Sequence, residues 1–106
     1  MTNQTPDHWK VEVAENGRSG SILYQENADC ISFYWEFGGG DTVVIIWGEE
    51  TSVWRTRYPW AFARRREILE RIAHEVLRQK APTCRADIDE GNGYIYIREP
   101  AAQQNA

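Results

Sequence analysis

The chain has 106 residues, of which 42% are hydrophobic, and it carries a net charge of −4 at pH 7. This length suits one domain with its own core, and no apolar run approaches the roughly 18 to 20 residues of a membrane helix. The polar start MTNQTPDHWK lacks the basic end and apolar stretch of a secretory signal, so we expect a cytoplasmic protein without membrane attachment.

Both ends of the chain are polar. Residues 1–7 and the tail PAAQQNA at 100–106 contain too little apolar surface to offset the entropy that ordering would cost. We therefore predict disordered termini on either side of a single domain at residues 8–99.

The first half of the chain predicts a meander of four strands. Alternating apolar and polar residues indicate strands at 9–13 and 31–37, and the segment SILYQ at 21–25 lies between two turn-forming stretches. Three glycines at 38–40 supply the next turn. The apolar run TVVIIW at 42–47 then suits a central strand covered on both faces.

The strand at 31–37 has two distinct faces, because successive side chains of a strand point to opposite sides. One face is apolar and is predicted to pack in the core; it consists of Ile31, Phe33, Trp35 and Phe37. The other face carries Ser32, Tyr34 and Glu36 and is expected to be exposed.

A single amphipathic helix is predicted from Pro59 to Lys80. Proline suits a first helical position, since no N–H is wasted there, and Pro82 disfavours the α conformation of the residue before it. At about 100° per residue, one apolar stripe is expected to pack on the sheet. The stripe consists of Phe62, Ile68, Leu69, Ile72, Ala73, Val76 and Leu77. The opposite, solvated face is predicted to carry Glu67, Arg71, His74, Glu75 and Arg78, with Glu67 and Arg71 as an ion pair.

Two short alternating strands follow at 85–89 and 94–98, joined by the turn EGNG. The predicted order is therefore β-β-β-β-α-β-β. This order predicts an α+β fold, in which a mostly antiparallel sheet has one long helix packed on one face.

The chain contains no complete catalytic, metal-binding or cofactor-binding motif. The segment DIDEGNG begins like a calcium loop, but its twelfth position is Arg98, where a carboxylate is required. His74 and Glu75 begin a zinc pattern that lacks its second histidine, because residue 78 is arginine. Cys30 and Cys84 are far apart in sequence and form no CxxC motif; a single disulfide between them is possible, but a reducing cytosol favours two free thiols. We therefore predict a protein that is not an enzyme and needs no metal or cofactor.

Positive charge is concentrated in residues 55–85, which carry nine Arg and Lys against three Glu, a net of +6. Aromatic residues interleave with these cations, a pattern that suits single-stranded nucleic acid or another anion bound by segment 54–66. The anion-binding candidates are Arg57, Arg64 and Arg66. The acidic whole chain opposes this interpretation, because it repels a polyanion at long range.

The arginines have a structural alternative, which is to neutralise the acids of the protein itself. Arg65 falls within the apolar stripe, so its stem should lie at the core edge and its guanidinium should meet a carboxylate or a backbone carbonyl. Arg64 and Arg66 would then offset acids of the sheet. The candidate acids are Glu36, Asp41, Glu49 and Glu50.

The aromatic residues favour a third interpretation, which we prefer. Five Trp in 106 residues exceed what one small core hides, and Trp and Tyr are enriched at binding hot spots. We expect Tyr34, Glu36, Trp47 and Trp54 to form an exposed aromatic and acidic face of the sheet. Small acidic α+β proteins that neutralise a basic toxin or nuclease share this general character, although no motif ties the chain to such a family. We predict a non-catalytic module that binds a protein, with nucleic acid as the alternative ligand; a homodimer is also compatible.

Overall fold

The structure is a computed structural model that describes residues 8–100. The predicted disordered segments, residues 1–7 and residues 100–106 apart from Pro100, lie outside the described residues.

Six strands and three helices form the described chain. In chain order they are β1 (Trp9–Asn16), β2 (Ser19–Glu26), β3 (Asp29–Phe37), β4 (Thr42–Trp47), α1 (Thr51–Arg57), α2 (Pro59–Phe62), α3 (Arg65–Lys80), β5 (Arg85–Asp89) and β6 (Tyr94–Arg98). The strands make one antiparallel sheet in the order β1-β2-β3-β4-β6-β5. The last hairpin therefore pairs with β4 through β6 and leaves β5 at the edge, and the predicted α+β fold is confirmed.

The strand bounds follow the turn chemistry of the sequence. β4, β5 and β6 match their predicted ranges, whereas β1 runs on to Asn16 and β3 begins earlier, at Asp29. Two-residue turns allow these longer pairings. Gly17 and Asn27 adopt the left-handed conformation there, with φ of 71° and 56°, which glycine and asparagine tolerate best.

The helical layer is broken where one continuous helix was predicted. Pro59 does begin a helix, but only the short α2, and Tyr58, with φ −127° and ψ 60°, separates α2 from α1. Arg64 is also non-helical, at φ −112° and ψ 22°, and α3 begins after it. The prediction of an unbroken helix at 59–80 is therefore wrong, although its end at Lys80 is confirmed. α1 was not predicted, because no element was assigned between the strand at 42–47 and the helix at Pro59.

The core lies between α3 and one face of the sheet, which we call the inner face. The predicted stripe of α3 is confirmed: Ile68, Leu69 and Ile72 have no exposed surface. They form one cluster with inner-face residues that include Ile95 and Ile97. Burying such side chains is the main favourable contribution to folding. α3 accordingly holds the strands together from one side.

Phe37 departs from its predicted place in the core, since 44% of its surface is exposed. Its side chain lies at the end of β3 and lines a small apolar cavity with Lys80 and Ala81, at the end of α3. Because α3 ends at Lys80, no helix covers the Phe37 ring. Arg18 packs over it instead, 5.3 Å from the ring centre.

Trp54 is completely buried, with 0% of its surface exposed. Its ring centre lies 6.2 Å from that of Phe33 and 5.6 Å from that of Tyr58. The prediction that Trp54 belongs to the exposed sheet face is wrong, because α1 directs this side chain onto the inner face. Trp54 is part of the core.

The face opposite to the helices, which we call the outer face, has no covering element among residues 8–100. β4 was expected to be covered on both sides, yet only Ile46 of this strand is buried, and Trp47 is 37% exposed. The three helices all contribute buried side chains to the inner-face core. None of the helices in residues 8–100 has the length and apolar character to cross a membrane.

The different burial of two tryptophans gives a direct test of this packing. We expect Trp54→Ala to lower the free energy of unfolding by about 3–5 kcal/mol, because it empties a fully buried site. Trp47→Ala should cost less, about 1–2 kcal/mol, since 37% of this side chain is exposed and its main loss is the contact with Tyr94. Urea unfolding followed by far-UV circular dichroism measures both. Equal losses for the two variants would contradict the assignment of the faces.

Candidate functional site on the outer sheet face

Four aromatic side chains lie together on the outer face, and we call them the aromatic patch: Tyr34, Trp47, Tyr94 and Tyr96. Trp47 stands between Tyr34 of β3 and Tyr94 of β6 as a direct cross-strand partner of both. The ring centres of Trp47 and Tyr94 are 4.9 Å apart, and those of Tyr94 and Tyr96 are 6.2 Å apart. Edge-to-face contacts of this kind stabilise the rings in fixed positions.

The alternation of each strand places these rings outside. In β6, Ile95 and Ile97 are completely buried against α3, so Tyr94 and Tyr96 must point the other way. Tyr34 is 49% exposed and Trp47 is 37% exposed. Half-buried Ile45 pairs with Tyr96 and extends the apolar surface along β4.

A cleft opens at one end of the patch and has a volume of about 650 Å³. We call it the Trp47 cleft, and it is lined by Ser32, Phe33, Tyr34, Trp47, Gly48, Glu49, Glu50, Asn92 and Tyr94. Its volume lies within the range of about 300–1,000 Å³ typical of ligand sites. The cleft joins the exposed aromatic rings to the acidic segment that follows β4.

Two glycines shape the base of the cleft. The N–H of Gly48 donates a hydrogen bond to the carbonyl of Gly93 at 2.9 Å. A Cβ atom on Gly48 would lie 2.6 Å from that carbonyl and from the ring of Phe33, and one on Gly93 would meet the carbonyl of Glu49. Gly93 also has φ of 81°, which side chains disfavour. Only glycine lets the two segments cross this closely.

Glu49 and Glu50 supply negative charge at the cleft. Arg57 lies 3.5 Å from the Glu49 carboxylate, and both side chains are well exposed, so their attraction is weak. From the core side, Arg65 donates a hydrogen bond to the Glu49 carbonyl at 2.9 Å. This meets the prediction that Arg65 binds a carboxylate or a backbone carbonyl. Burial lowers the pKa of the Arg65 guanidinium, and Arg65 supports the acidic segment from below.

Glu36 and Glu50 carry the unbalanced charge of the outer face. Glu36 accepts a hydrogen bond from the hydroxyl of Tyr34 at 3.2 Å. Within residues 8–100, no Lys, Arg or His side chain forms an ion pair with either carboxylate. Asp87 on the same face is paired, since it lies 2.6 Å from Arg98. The patch therefore has an acidic margin.

Of the residues predicted for protein binding, Tyr34, Glu36 and Trp47 come together and Trp54 does not. Sequence analysis missed Tyr94 and Tyr96, which complete the patch. Their alternation with Ile95 and Ile97 places them opposite to the core, but that signal was used only to predict a strand.

Each of the predicted anion-binding arginines forms an ion pair with a carboxylate of the protein. Arg57 pairs with Glu49, Arg64 with Glu26, and Arg66 with Glu70 and, at 3.7 Å, with Glu90. The partners predicted for Arg64 and Arg66 are therefore wrong, because the break before α3 turns Arg64 towards β2 and Arg66 bonds within its own helix.

Glu26 is the centre of an ion network between β2 and the helices. Its carboxylate accepts hydrogen bonds from both terminal guanidinium nitrogens of Arg64 and from the hydroxyl of Tyr24. Nη1 of Arg71 donates a further hydrogen bond to it at 3.0 Å. The Arg64 hydrogen bond lowers the pKa of Glu26 to about 2, and burial raises the pKa of Tyr24 to about 12. The network ties α3 to the sheet.

Arg71 differs from its predicted solvated position, because only 15% of its side chain is exposed. Its guanidinium reaches Glu26 and also lies 4.9 Å from the ring centre of Trp9. The predicted pair with Glu67 is nevertheless confirmed, at 2.6 Å.

The cysteines and the other acids form no recognisable site in the described chain. Cys30 and Cys84 are both free thiols. No group of three or more His, Cys, Asp or Glu within residues 8–100 is arranged to hold a metal ion. Comparison with known proteins found no match among family models, curated proteins or solved structures.

The base of the Trp47 cleft can be tested at Gly93. We expect Gly93→Ala to cost about 1–3 kcal/mol of stability, because its φ and the surrounding backbone both resist a side chain. Gly39→Ala is the matched control, since its Cβ would meet open space. Thermal unfolding measures the difference, and an unaffected Gly93→Ala variant would contradict the close crossing.

Glu26 gives a test of the ion network by pH. The folded pKa near 2 is below the ordinary 4.5. The network therefore contributes its full stability above about pH 4.5, and the contribution is lost as the pH falls towards 2. We expect Glu26→Gln to cost about 2–3 kcal/mol at pH 7 and to reduce the loss of stability between pH 5 and pH 2.

Glu70→Gln is the control for this experiment, because the Arg66–Glu70 pair is exposed and should contribute less than about 0.5 kcal/mol. Urea unfolding at a series of pH values measures both variants. A Glu26→Gln variant with the same acid sensitivity as the unmodified chain would exclude Glu26 as its source.

Proposed function

We propose that the chain is a non-catalytic protein-binding module whose outer sheet face contacts a partner with a basic surface. The observation that carries this proposal is the aromatic patch, four rings on one sheet face that no element of residues 8–100 covers. Contiguous exposed apolar surface of this kind marks interaction sites in folded proteins.

The residue types of the patch support protein recognition. Trp and Tyr are the side chains most enriched at binding hot spots, because they bury a large area and lose little rotamer freedom. Here the rings project from paired strands and touch one another, as Trp47 and Tyr94 do at 4.9 Å. A partner would therefore meet a preorganised surface, which reduces the entropic cost of binding.

The charge of the surface supports a basic partner. Glu36 and Glu50 adjoin the patch without a cation beside them in the described chain, and the whole protein has a net charge of −4. Complementary charge accelerates association and excludes wrong partners. A basic protein would be attracted at long range, whereas an acidic one would be repelled.

The nucleic-acid interpretation has less support. Arg57, Arg64 and Arg66 would have to exchange carboxylate partners for phosphates. For Arg64 the exchange would disrupt the Glu26 network, which connects the helices to the sheet. These ion pairs therefore favour a structural role for the three arginines, which is to neutralise carboxylates of the protein itself.

The proposal is tested by capture from the cells that natively produce the protein. We expect the unmodified chain to retain a preferred, basic protein, and we expect Tyr34→Ala and Trp47→Ala to weaken its binding by about tenfold or more, as loss of a hot spot does. His74→Ala is the control, because His74 is exposed on α3. A photo-crosslinking residue at position 96 should attach to the partner, and one at position 74 should not.

Three results would contradict the proposal. The unmodified chain could capture no preferred protein, or the helix-face variant could lose the partner while the outer-face variants keep it. Alternatively, sedimentation could show that the outer face binds a second copy of the chain, which would replace the basic partner by a homodimer.

A further inference from the structure

Arginine side chains already pack over five aromatic rings of this protein, with guanidinium carbons 4.9 to 5.3 Å from the ring centres. One of these contacts, Arg98 over Tyr96, lies on the outer face itself. Within residues 8–100, no Arg lies over the rings of Tyr34, Trp47 or Tyr94 in this way. The three aromatic rings of the Trp47 cleft that are not in the core therefore lack the cation that five other rings have.

The geometry of the cleft presents these rings to a ligand. The planes of Trp47 and Tyr94 meet at 66°, and their ring centres are 4.9 Å apart, so the two rings form a corner. Tyr34 stands on the other side of Trp47 as its cross-strand partner in β3. Tyr34 and Trp47 are 49% and 37% exposed, so a cation can approach these rings from solvent.

The acidic residues of the cleft select the charge of the ligand. Glu49 and Glu50 both line it, and only Glu49 has a cation within 4.0 Å, the exposed Arg57 at 3.5 Å. An anionic group would be repelled by these carboxylates. A neutral apolar group would remove water from them without replacing its hydrogen bonds, which is costly. A cation satisfies both the carboxylates and the aromatic faces.

We propose that the Trp47 cleft is the anchoring site for an arginine side chain of the partner protein, held against the corner that the Trp47 and Tyr94 rings form and paired with the Glu50 carboxylate. This inference rests on the proposed function, since it assigns the partner residue that the same face recognises. Arginine is the better fit than lysine, because its flat guanidinium stacks on a ring and its fork of N–H donors matches a carboxylate. The volume of about 650 Å³ leaves room for the neighbouring backbone of the partner.

The test uses a single side chain as the probe. N-acetyl-arginine methylamide is titrated into the ¹⁵N-labelled protein, and the indole N–H signal of Trp47 is followed by NMR, with Trp47→Phe identifying that signal. We expect saturable shifts with a dissociation constant on the order of millimolar, which suits one side chain without the rest of the partner. N-acetyl-citrulline methylamide has nearly the same shape without the charge, and it should bind at least about fivefold more weakly.

Two variants locate the charge that the probe recognises. Glu50→Gln should weaken binding of the arginine probe by about fivefold or more. Glu99→Gln is matched to it, because it also removes one carboxylate, but from a residue outside the cleft; its affinity should be unchanged. The inference is overturned if the arginine and citrulline probes bind equally, if Trp47 shows no saturable shift, or if the two variants weaken binding alike.

Failure of this inference is distinguishable from failure of the proposed function. If Trp47→Ala loses a captured partner but the arginine probe does not bind, the outer face recognises a protein by another residue. If the probe binds as expected but outer-face variants keep the partner, the cleft accepts arginine and the proposed interface is wrong.

Discussion

The fold depends on the burial of one apolar stripe of α3 against one face of a six-stranded sheet. Ile68, Leu69 and Ile72 have no exposed surface, and the Glu26 network with Arg64 and Arg71 fixes the helical layer at its margin. Because all this burial occurs on one side, the opposite side of the same strands is free to carry other chemistry. The outer face is available as a candidate site because all three helices pack on the inner face of the sheet.

Much of the fold could be predicted because the strands alternate strictly and turn residues separate them. The bounds of β5 and β6 follow directly from that pattern, and those of β4 follow from an apolar run that begins after the glycine turn. The helical layer was harder, because a proline at a first helical position is equally compatible with a long helix and a short one. The break at Arg64 coincides with its contact with Glu26, 38 residues earlier in the chain, and no local sequence pattern indicates such a contact.

The site was predictable in its position and only partly in its composition. Alternation alone placed Tyr34 and Glu36 correctly on the outer face, whereas Trp47 was assigned there from the large number of tryptophans. Trp54 was misplaced, because its direction is set by α1 and by packing against Phe33, which lies 21 positions away in sequence. The role of the arginines was also ambiguous. A sequence shows the excess of cations, but it does not show which carboxylates the tertiary structure places beside them.

Successive side chains of β3, β4 and β6 point to opposite faces of the sheet, so adjacent residues are subject to different structural constraints. Ile95 and Ile97 are constrained by the interior, whereas Tyr94 and Tyr96 between them face away from it. Substitution at every second position can thus change the chemistry of the outer surface and leave the interior intact. On the function proposed above, the binding specificity of such a protein could change without loss of its folded state.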